Sequence, residues 1–185
     1  MISKLPNYLT LLRICLSPFI CLSFYFEDKV LGHIVGFVIF VFASATDYLD
    51  GFIARKYNIQ TKFGKVFDPI ADKILITSAL IMLSSFGYAS PILCIIIISR
   101  ELLISGLREG LSVNKVNDKQ ILEVTSMSKL KTILQMVAIS VLLLRIDENQ
   151  LHIIDLLGNC LLFIATLITI YTGLIHYKNS VKYLG

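Results

Sequence analysis

The sequence is poor in charged residues. Asp, Glu, Lys and Arg make up 16% of its 185 residues, where about 25% is usual in soluble proteins. Hydrophobic residues make up 56% of the chain, and the mean hydropathy is +0.77. A soluble domain of this length has too small a core to bury so many apolar side chains. The same composition excludes intrinsic disorder, which requires low hydrophobicity and high net charge.

Cysteine and histidine are also scarce. The cysteines lie far apart within apolar stretches and show no CxxC or CxxH spacing, which excludes a disulfide scaffold: Cys15, Cys21, Cys94 and Cys160. The three histidines are isolated, so none is expected to bind a metal. The net charge of +4 comes without a basic stripe interleaved with exposed aromatic residues, and no nucleic-acid partner is expected.

The apolar residues fall into six segments, each close to the length of about 20 residues that a membrane-spanning helix needs. The segments are Thr10–Phe26, Val30–Ala54, Ile70–Phe86, Ile92–Leu107, Leu130–Leu144 and Leu156–Tyr177. We therefore predict an all-α integral membrane protein with six transmembrane helices, and a single membrane-embedded domain over residues 1–185. The bilayer is its first predicted partner.

The distribution of basic residues predicts the orientation. If six helices cross with both termini on one side, all of the 17 Lys and Arg residues except Lys29 and Arg145 lie on that side. Positive residues remain in the cytoplasm, so both termini are expected there. The predicted location is the cytoplasmic (inner) membrane.

Four aspartates stand out against this apolar background. Asp47 and Asp50 end the second segment, and Asp68 and Asp72 open the third. Spacings of three and four residues place each pair on one helix face. The short connection Lys56–Val66 favours an antiparallel hairpin, which would bring the four carboxylates together at the cytoplasmic boundary. The alternative is that they are solvated helix-end residues paired with nearby lysines.

Four converging carboxylates need cations to remain ionised. Oxygen ligands without His or Cys favour Mg²⁺ or Mn²⁺, and two such ions are suited to displacement at phosphorus. Gly51 and Gly64 permit a close approach to the backbone, and Arg55 is placed to hold a phosphate group.

The pattern Asp47-x-x-Asp50-Gly51-x-x-Ala54-Arg55, followed after eight residues by Gly64-x-x-x-Asp68-x-x-x-Asp72, resembles the signature of the CDP-alcohol phosphotransferases. The resemblance implies that family's fold, and an enzyme that transfers a phosphatidyl group from a CDP-linked lipid to an alcohol and releases CMP. It also implies a homodimer.

The resemblance also implies the role of each motif residue. Asp47, Asp50, Asp68 and Asp72 would be ligands of two Mg²⁺ or Mn²⁺ ions, and Asp72 would also be the catalytic base. The CDP-lipid would be bound by Asp50, Gly51, Ala54, Arg55 and Gly64.

Basic residues in the fourth and fifth segments indicate the acceptor. Arg100 and Arg108 lie two turns apart on one helix face, and Lys129 and Lys131 open the fifth segment. They are expected to bind an acceptor phosphate; the alternative is snorkelling at helix ends. The stretches Arg100–Glu109, Lys129–Gln135 and Pro6–Arg13 resemble the bacterial phosphatidylglycerophosphate synthases of this family, which implies CDP-diacylglycerol as donor and sn-glycerol 3-phosphate as acceptor.

Other functions stay open from the sequence. The phosphatidylinositol-phosphate synthases of the family also need a pocket for an acceptor phosphate, and a cardiolipin synthase type is the other alternative within the family. A divalent-cation transporter is less consistent with the sequence. Transporters place their ion site near the bilayer midplane, often between repeats, whereas these aspartates lie toward one side of the membrane and the sequence shows no internal repeat. Arg13 could reach the polar site or extend to the membrane surface, and Asp155 has no assigned role.

Overall fold

The computed structural model describes residues 5–56, 62–113, 126–145 and 151–181. These residues form six α-helices: α1 (Leu5–Ser23), α2 (Lys29–Lys56), α3 (Lys62–Ser85), α4 (Pro91–Val113), α5 (Ser126–Leu143) and α6 (Leu151–Val181). The helices follow the six predicted segments, and the prediction of an all-α fold is confirmed. Helix α3 begins eight residues before the predicted segment, so Asp68 and Asp72 both lie within it.

Helix α1 packs against both α2 and α3, whereas α6 packs against α5 and α4. Helices α2 and α3 contact α5, which joins the two groups. The apolar core between them contains fully buried side chains from every helix: Ile20, Phe40, Leu75, Leu80, Leu83, Ile97, Ile139, Leu142 and Leu162. The predicted hairpin of α2 and α3 therefore has a third member, because α1 contacts each of them more broadly than they contact each other.

Two sites of close backbone approach shape this packing. A Cβ atom on Gly32 would lie 2.3 Å from the carbonyl oxygen of Ser23, and one on Gly36 would lie 2.7 Å from the Ser23 hydroxyl. The turn from α3 to α4 contains Gly87, whose φ of 77° is a conformation that favours glycine. Glycine at these positions lets α1 and α2 pack closely and lets α4 reverse direction.

Large apolar side chains are exposed on all six helices, for example Phe19, Val38, Ile81, Ile95, Ile133 and Leu167. Apolar surface of this extent marks contact with lipid or with another protein. Within the described residues, two helices are long and apolar enough to cross a membrane, Lys29–Asp47 in α2 and His152–Lys178 in α6, and Asn7–Ser23 is a shorter apolar helix. The prediction of six crossings with both termini in the cytoplasm stays a prediction.

Polar contacts gather at the two ends of the bundle. One group contains Arg13, Asp47, Glu101 and Lys131. It lies toward the end at which α1, α3 and α5 begin and α2, α4 and α6 finish; we call it the site end. At the opposite, far end, Arg145 forms an ion pair with Asp155 and lies 3.8 Å from the centre of the Tyr88 ring.

Candidate active site

Helix α1 contributes directly to the site end. The guanidinium group of Arg13 is fully buried and forms an ion pair with Asp47, and its Nη2 lies 3.7 Å from Asp68 Oδ1. The hydroxyl group of Thr10 donates a hydrogen bond to the same oxygen of Asp68. Because Thr10 and Arg13 are three residues apart, they share one face of α1, and that face joins a motif aspartate of α2 to one of α3.

Asp72 lies one turn beyond Asp68 and faces a cavity between α3, α4 and α5. Its lining combines two carboxylates and one lysine with neutral polar groups, and its apolar wall is formed by isoleucines: Asp72, Glu101, Lys73, Thr77, Thr132 and Gln135, with Ile76, Ile97 and Ile98. The Oδ1 atom of Asp72 is buried and has no hydrogen-bond partner among the described residues. A buried carboxylate oxygen without a partner is costly unless a ligand satisfies it, so this atom is suited to bind a proton, a hydroxyl group or a cation.

Glu101 joins the basic residues of α4 and α5. Arg100 Nη1 lies 3.1 Å from Glu101 Oε1, and Lys131 forms an ion pair with the same oxygen. The side chain of Lys131 is only 5% exposed, so this is not a snorkelling lysine. Arg100 also donates a hydrogen bond of 3.1 Å to Thr172 on α6. Two of the four predicted acceptor-binding cations are therefore brought together, next to the cavity that Asp72 faces.

The other two predicted cations lie farther out. Lys129 is exposed, and Arg108 is half-buried. The Nε atom of Arg108 is buried without a hydrogen-bond partner within the described part of the chain.

The donor side of the motif is described only in part. Helix α2 includes Asp50, Gly51, Ala54 and Arg55, but their side chains lie outside the described residues. Gly64 is buried one turn before Asp68. The predicted contacts of these residues with a CDP-lipid stay predictions.

The predicted metal site stays a prediction. Among the described side chains, no group of three or more His, Cys, Asp or Glu residues could hold a metal ion. The side chain of Asp50, the fourth predicted ligand, does not belong to the described ones. The donor chemistry nevertheless fits Mg²⁺ or Mn²⁺, because Asp47 and Asp68 are partly exposed and Asp72 has a buried oxygen without a partner.

Some polar residues of this end could not be predicted as part of the site. Sequence reasoning left Arg13 open between the site and the membrane surface, and the contact with Asp47 decides for the site. Gln135 donates a hydrogen bond to Thr169, and Thr172 binds Arg100. Neutral residues such as Thr169 and Thr172 carry no charge that would mark them in an apolar segment.

The fold and the site together define a helical membrane protein whose acidic and basic residues meet at one end of the bundle. The chain belongs to the CDP-alcohol phosphatidyltransferase family, whose sequence profile matches residues 3–171.

Relatives extend the match over nearly the whole chain. A protein of Rickettsia felis is 46% identical over 180 residues, 97% of each chain, and one of Rickettsia bellii is 45% identical over the same length. A protein of Yersinia pestis is 36% identical over 179 residues, 96% of this chain and 94% of its own. All three are named CDP-diacylglycerol--glycerol-3-phosphate 3-phosphatidyltransferase. The predicted family resemblance is confirmed.

Proposed function

We propose that this protein transfers the phosphatidyl group of CDP-diacylglycerol to sn-glycerol 3-phosphate, giving phosphatidylglycerophosphate and CMP. Its near full-length similarity to relatives named for this reaction supports the proposal. The structural observation that carries it is a single cavity lined by Asp72 at one point and by Glu101, with its bonded Arg100 and Lys131, at another. Such a cavity offers a base for a hydroxyl group and cations for a phosphate group of the same acceptor.

The donor would be held by the motif residues of α2 and α3. Asp47, Asp50, Asp68 and Asp72 would bind two Mg²⁺ or Mn²⁺ ions, which supply positive charge to the diphosphate when bound. Arg55 would bind the diphosphate, and the small residues Gly51, Ala54 and Gly64 would leave room for the cytidine. Arg13 would keep the carboxylates of Asp47 and Asp68 in place from α1.

The acceptor would lie in the cavity between α3, α4 and α5. Its phosphate would be bound by Arg100 and Lys131, with Arg108 and Lys129 at the outer side, because a phosphate forms strong charge-assisted hydrogen bonds with these groups. Its hydroxyl would lie within hydrogen-bond distance of Asp72. As the hydroxyl oxygen bonds to the phosphorus that carries the diacylglycerol, Asp72 takes its proton, and the bond from that phosphorus to CMP breaks.

The membrane arrangement is part of the proposal. Six helices would cross the bacterial cytoplasmic membrane with both termini and the site end at the cytoplasm. The exposed apolar residues on all six helices support burial in lipid, and the concentration of Lys and Arg on one side supports the orientation. The lipid donor could then reach the site end from the bilayer. A homodimer is proposed from the family resemblance alone.

The decisive experiment is CMP release by the purified protein with CDP-diacylglycerol and Mg²⁺ or Mn²⁺. The acceptors supplied in parallel are sn-glycerol 3-phosphate, inositol 1-phosphate, serine and phosphatidylglycerol. Release only with glycerol 3-phosphate is the expected result. Release only with another acceptor would refute the assigned acceptor and retain the transferase chemistry, and no release with any of them would refute the proposed function.

A further inference from the structure

The side chain of Arg100 lies directly across helix α6. Its Nη2 donates a hydrogen bond of 3.1 Å to Thr172 Oγ1, and its Nη1 lies 3.1 Å from Glu101 Oε1. A Cβ atom on Gly173 would lie 3.1 Å from Arg100 Cγ and 3.2 Å from Arg100 Nε. Two consecutive residues of α6 therefore determine where the guanidinium group lies: one binds it, and the other leaves room for it.

Neither residue is explained by helix formation. Glycine is disfavoured inside a helix relative to alanine, yet Gly173 lies eight residues before the end of α6 and is buried. Thr172 Oγ1 donates its own proton to the carbonyl of Ile168 at 2.8 Å, which fixes the hydroxyl group and leaves a lone pair for Arg100. Both features fit a requirement set by Arg100.

We infer that Thr172 and Gly173 are positioning residues for the acceptor phosphate, and that α6 thereby takes part in acceptor recognition although it contributes no charged ligand. They hold Arg100 beside Glu101 and Lys131, so that Arg100 and Lys131 are already positioned together to bind the phosphate group. The inference rests on the proposed function, because the phosphate of the acceptor is the group that Arg100 would bind.

A side chain at position 173 is expected to change the position of Arg100 without disrupting the fold. The contacts of an added Cβ are with the flexible side chain of Arg100, which can shift by a few tenths of an ångström for alanine and farther for a branched side chain. If Gly173 had a purely structural role, its substitution would instead lower the stability of the protein without a specific effect on KM for the acceptor.

The test compares the steady-state constants of Gly173→Ala, Gly173→Val and Thr172→Val in the full-length protein. A misplaced charge-assisted hydrogen bond is worth roughly ten- to a hundredfold in binding. We expect Gly173→Val to raise KM for glycerol 3-phosphate about tenfold and Gly173→Ala about threefold, since alanine shifts Arg100 less. Thr172→Val, which keeps the shape but loses the oxygen, raises the same KM about tenfold. KM for CDP-diacylglycerol, and kcat at saturating acceptor, are expected to change less than about twofold, since neither Thr172 nor Gly173 contacts the proposed donor-binding residues.

Two glycine variants are matched controls. Gly110→Ala adds a methyl group that meets no atom within 4 Å among the described residues outside its own turn of helix, and it should leave every constant unchanged. Gly158→Ala, also on α6, brings its Cβ to 2.5 Å from Leu142. It should lower thermal stability without raising KM for the acceptor.

A double variant determines whether Arg100 mediates the effect. In an Arg100→Ala background Gly173→Val should add nothing to the raised KM, because the side chain that it displaces is gone. Additive effects, or an unchanged KM in both Gly173→Val and Thr172→Val while the wild-type protein uses glycerol 3-phosphate, would overturn the inference. If Gly173→Val fails to fold, Thr172→Val decides alone. A wild-type protein that releases no CMP with any acceptor would refute the proposed function, and this inference with it.

Discussion

Arg13 provides the sharpest test of the site, because it lies outside the aspartate motif but contacts two motif residues, Asp47 and Asp68. Its side chain is 0% exposed, whereas those of Asp47 and Asp68 are 35% and 42% exposed. Replacing it by methionine keeps an unbranched side chain that can still fill the space but removes the charge. We expect Arg13→Met to lower kcat and to leave the protein folded.

The expected magnitude follows from the geometry. A hydrogen bond to a charged group contributes about 1.5–3 kcal/mol. The lower end applies here, because both carboxylates are partly exposed and water screens the pair, and the contact with Asp68 is long at 3.7 Å. A loss of about 1.5–2 kcal/mol in the transition state lowers kcat roughly 10- to 30-fold. Arg13→Lys retains the charge without the planar guanidinium group, so its kcat should lie between those of the wild-type protein and Arg13→Met.

The far end of the bundle supplies a matched control. Arg145 forms an ion pair with Asp155, and these side chains are 9% and 36% exposed, close to the values for Arg13 and Asp47. Arg145→Met should therefore lower the thermal unfolding temperature about as much as Arg13→Met, while kcat for CMP release is unchanged. If both variants lose kcat equally, or if Arg13→Met keeps the wild-type kcat, Arg13 has only a structural role and the reasoning fails.

The remaining predictions concern the base, the ions and the acceptor cations. Asp72→Asn should lower kcat by about 100- to 10,000-fold, the usual contribution of a general base, and single-turnover CMP release near the wild-type rate would contradict that assignment. Chelation by EDTA should abolish CMP release, and Mg²⁺ or Mn²⁺ should restore it; activity that survives chelation would disprove the ion requirement. Lys131→Ala, at a buried position, should raise KM for glycerol 3-phosphate about tenfold and exposed Lys129→Ala less; equal effects would argue against a pocket centred on Glu101.

The sequence was sufficient to predict the all-helical fold and the residues that are expensive in an apolar chain. Aspartates and arginines inside long apolar segments are conspicuous because burial of a charge is costly, and for this reason the sequence alone could assign Arg100 and Lys131 to one cluster. The packing of α1 between α2 and α3 could not be predicted, because the contacts of one helix with two others depend on three-dimensional shape and leave no local pattern. The role of Arg13 stayed open for the same reason.

Neutral and shared partners were also beyond sequence reasoning. Glu101 stands beside Arg100 in the sequence, which suggests a local pair, but its bond to Lys131 joins α4 to α5. Thr172 and Gly173 are small residues in the most apolar helix, where threonine commonly bonds to its own backbone. Only the position of Arg100 gives them a further role.

The two ends of the bundle use similar residues for different purposes, and the difference lies in what remains unsatisfied. At the far end Asn159 accepts a hydrogen bond from the backbone of Ser90 and donates to the carbonyl of Tyr88, while Arg145 has both Asp155 and the Tyr88 ring.

At the site end Asp72, Arg100 and Arg108 each have a buried polar atom without a hydrogen-bond partner among the described residues; the far end has one such atom, on His33. Because buried polar groups are almost always paired in a folded protein, several unpaired ones at the same end mark it as the end that is built for a ligand. The far end, with nearly all of its groups paired, is built to hold the helices together.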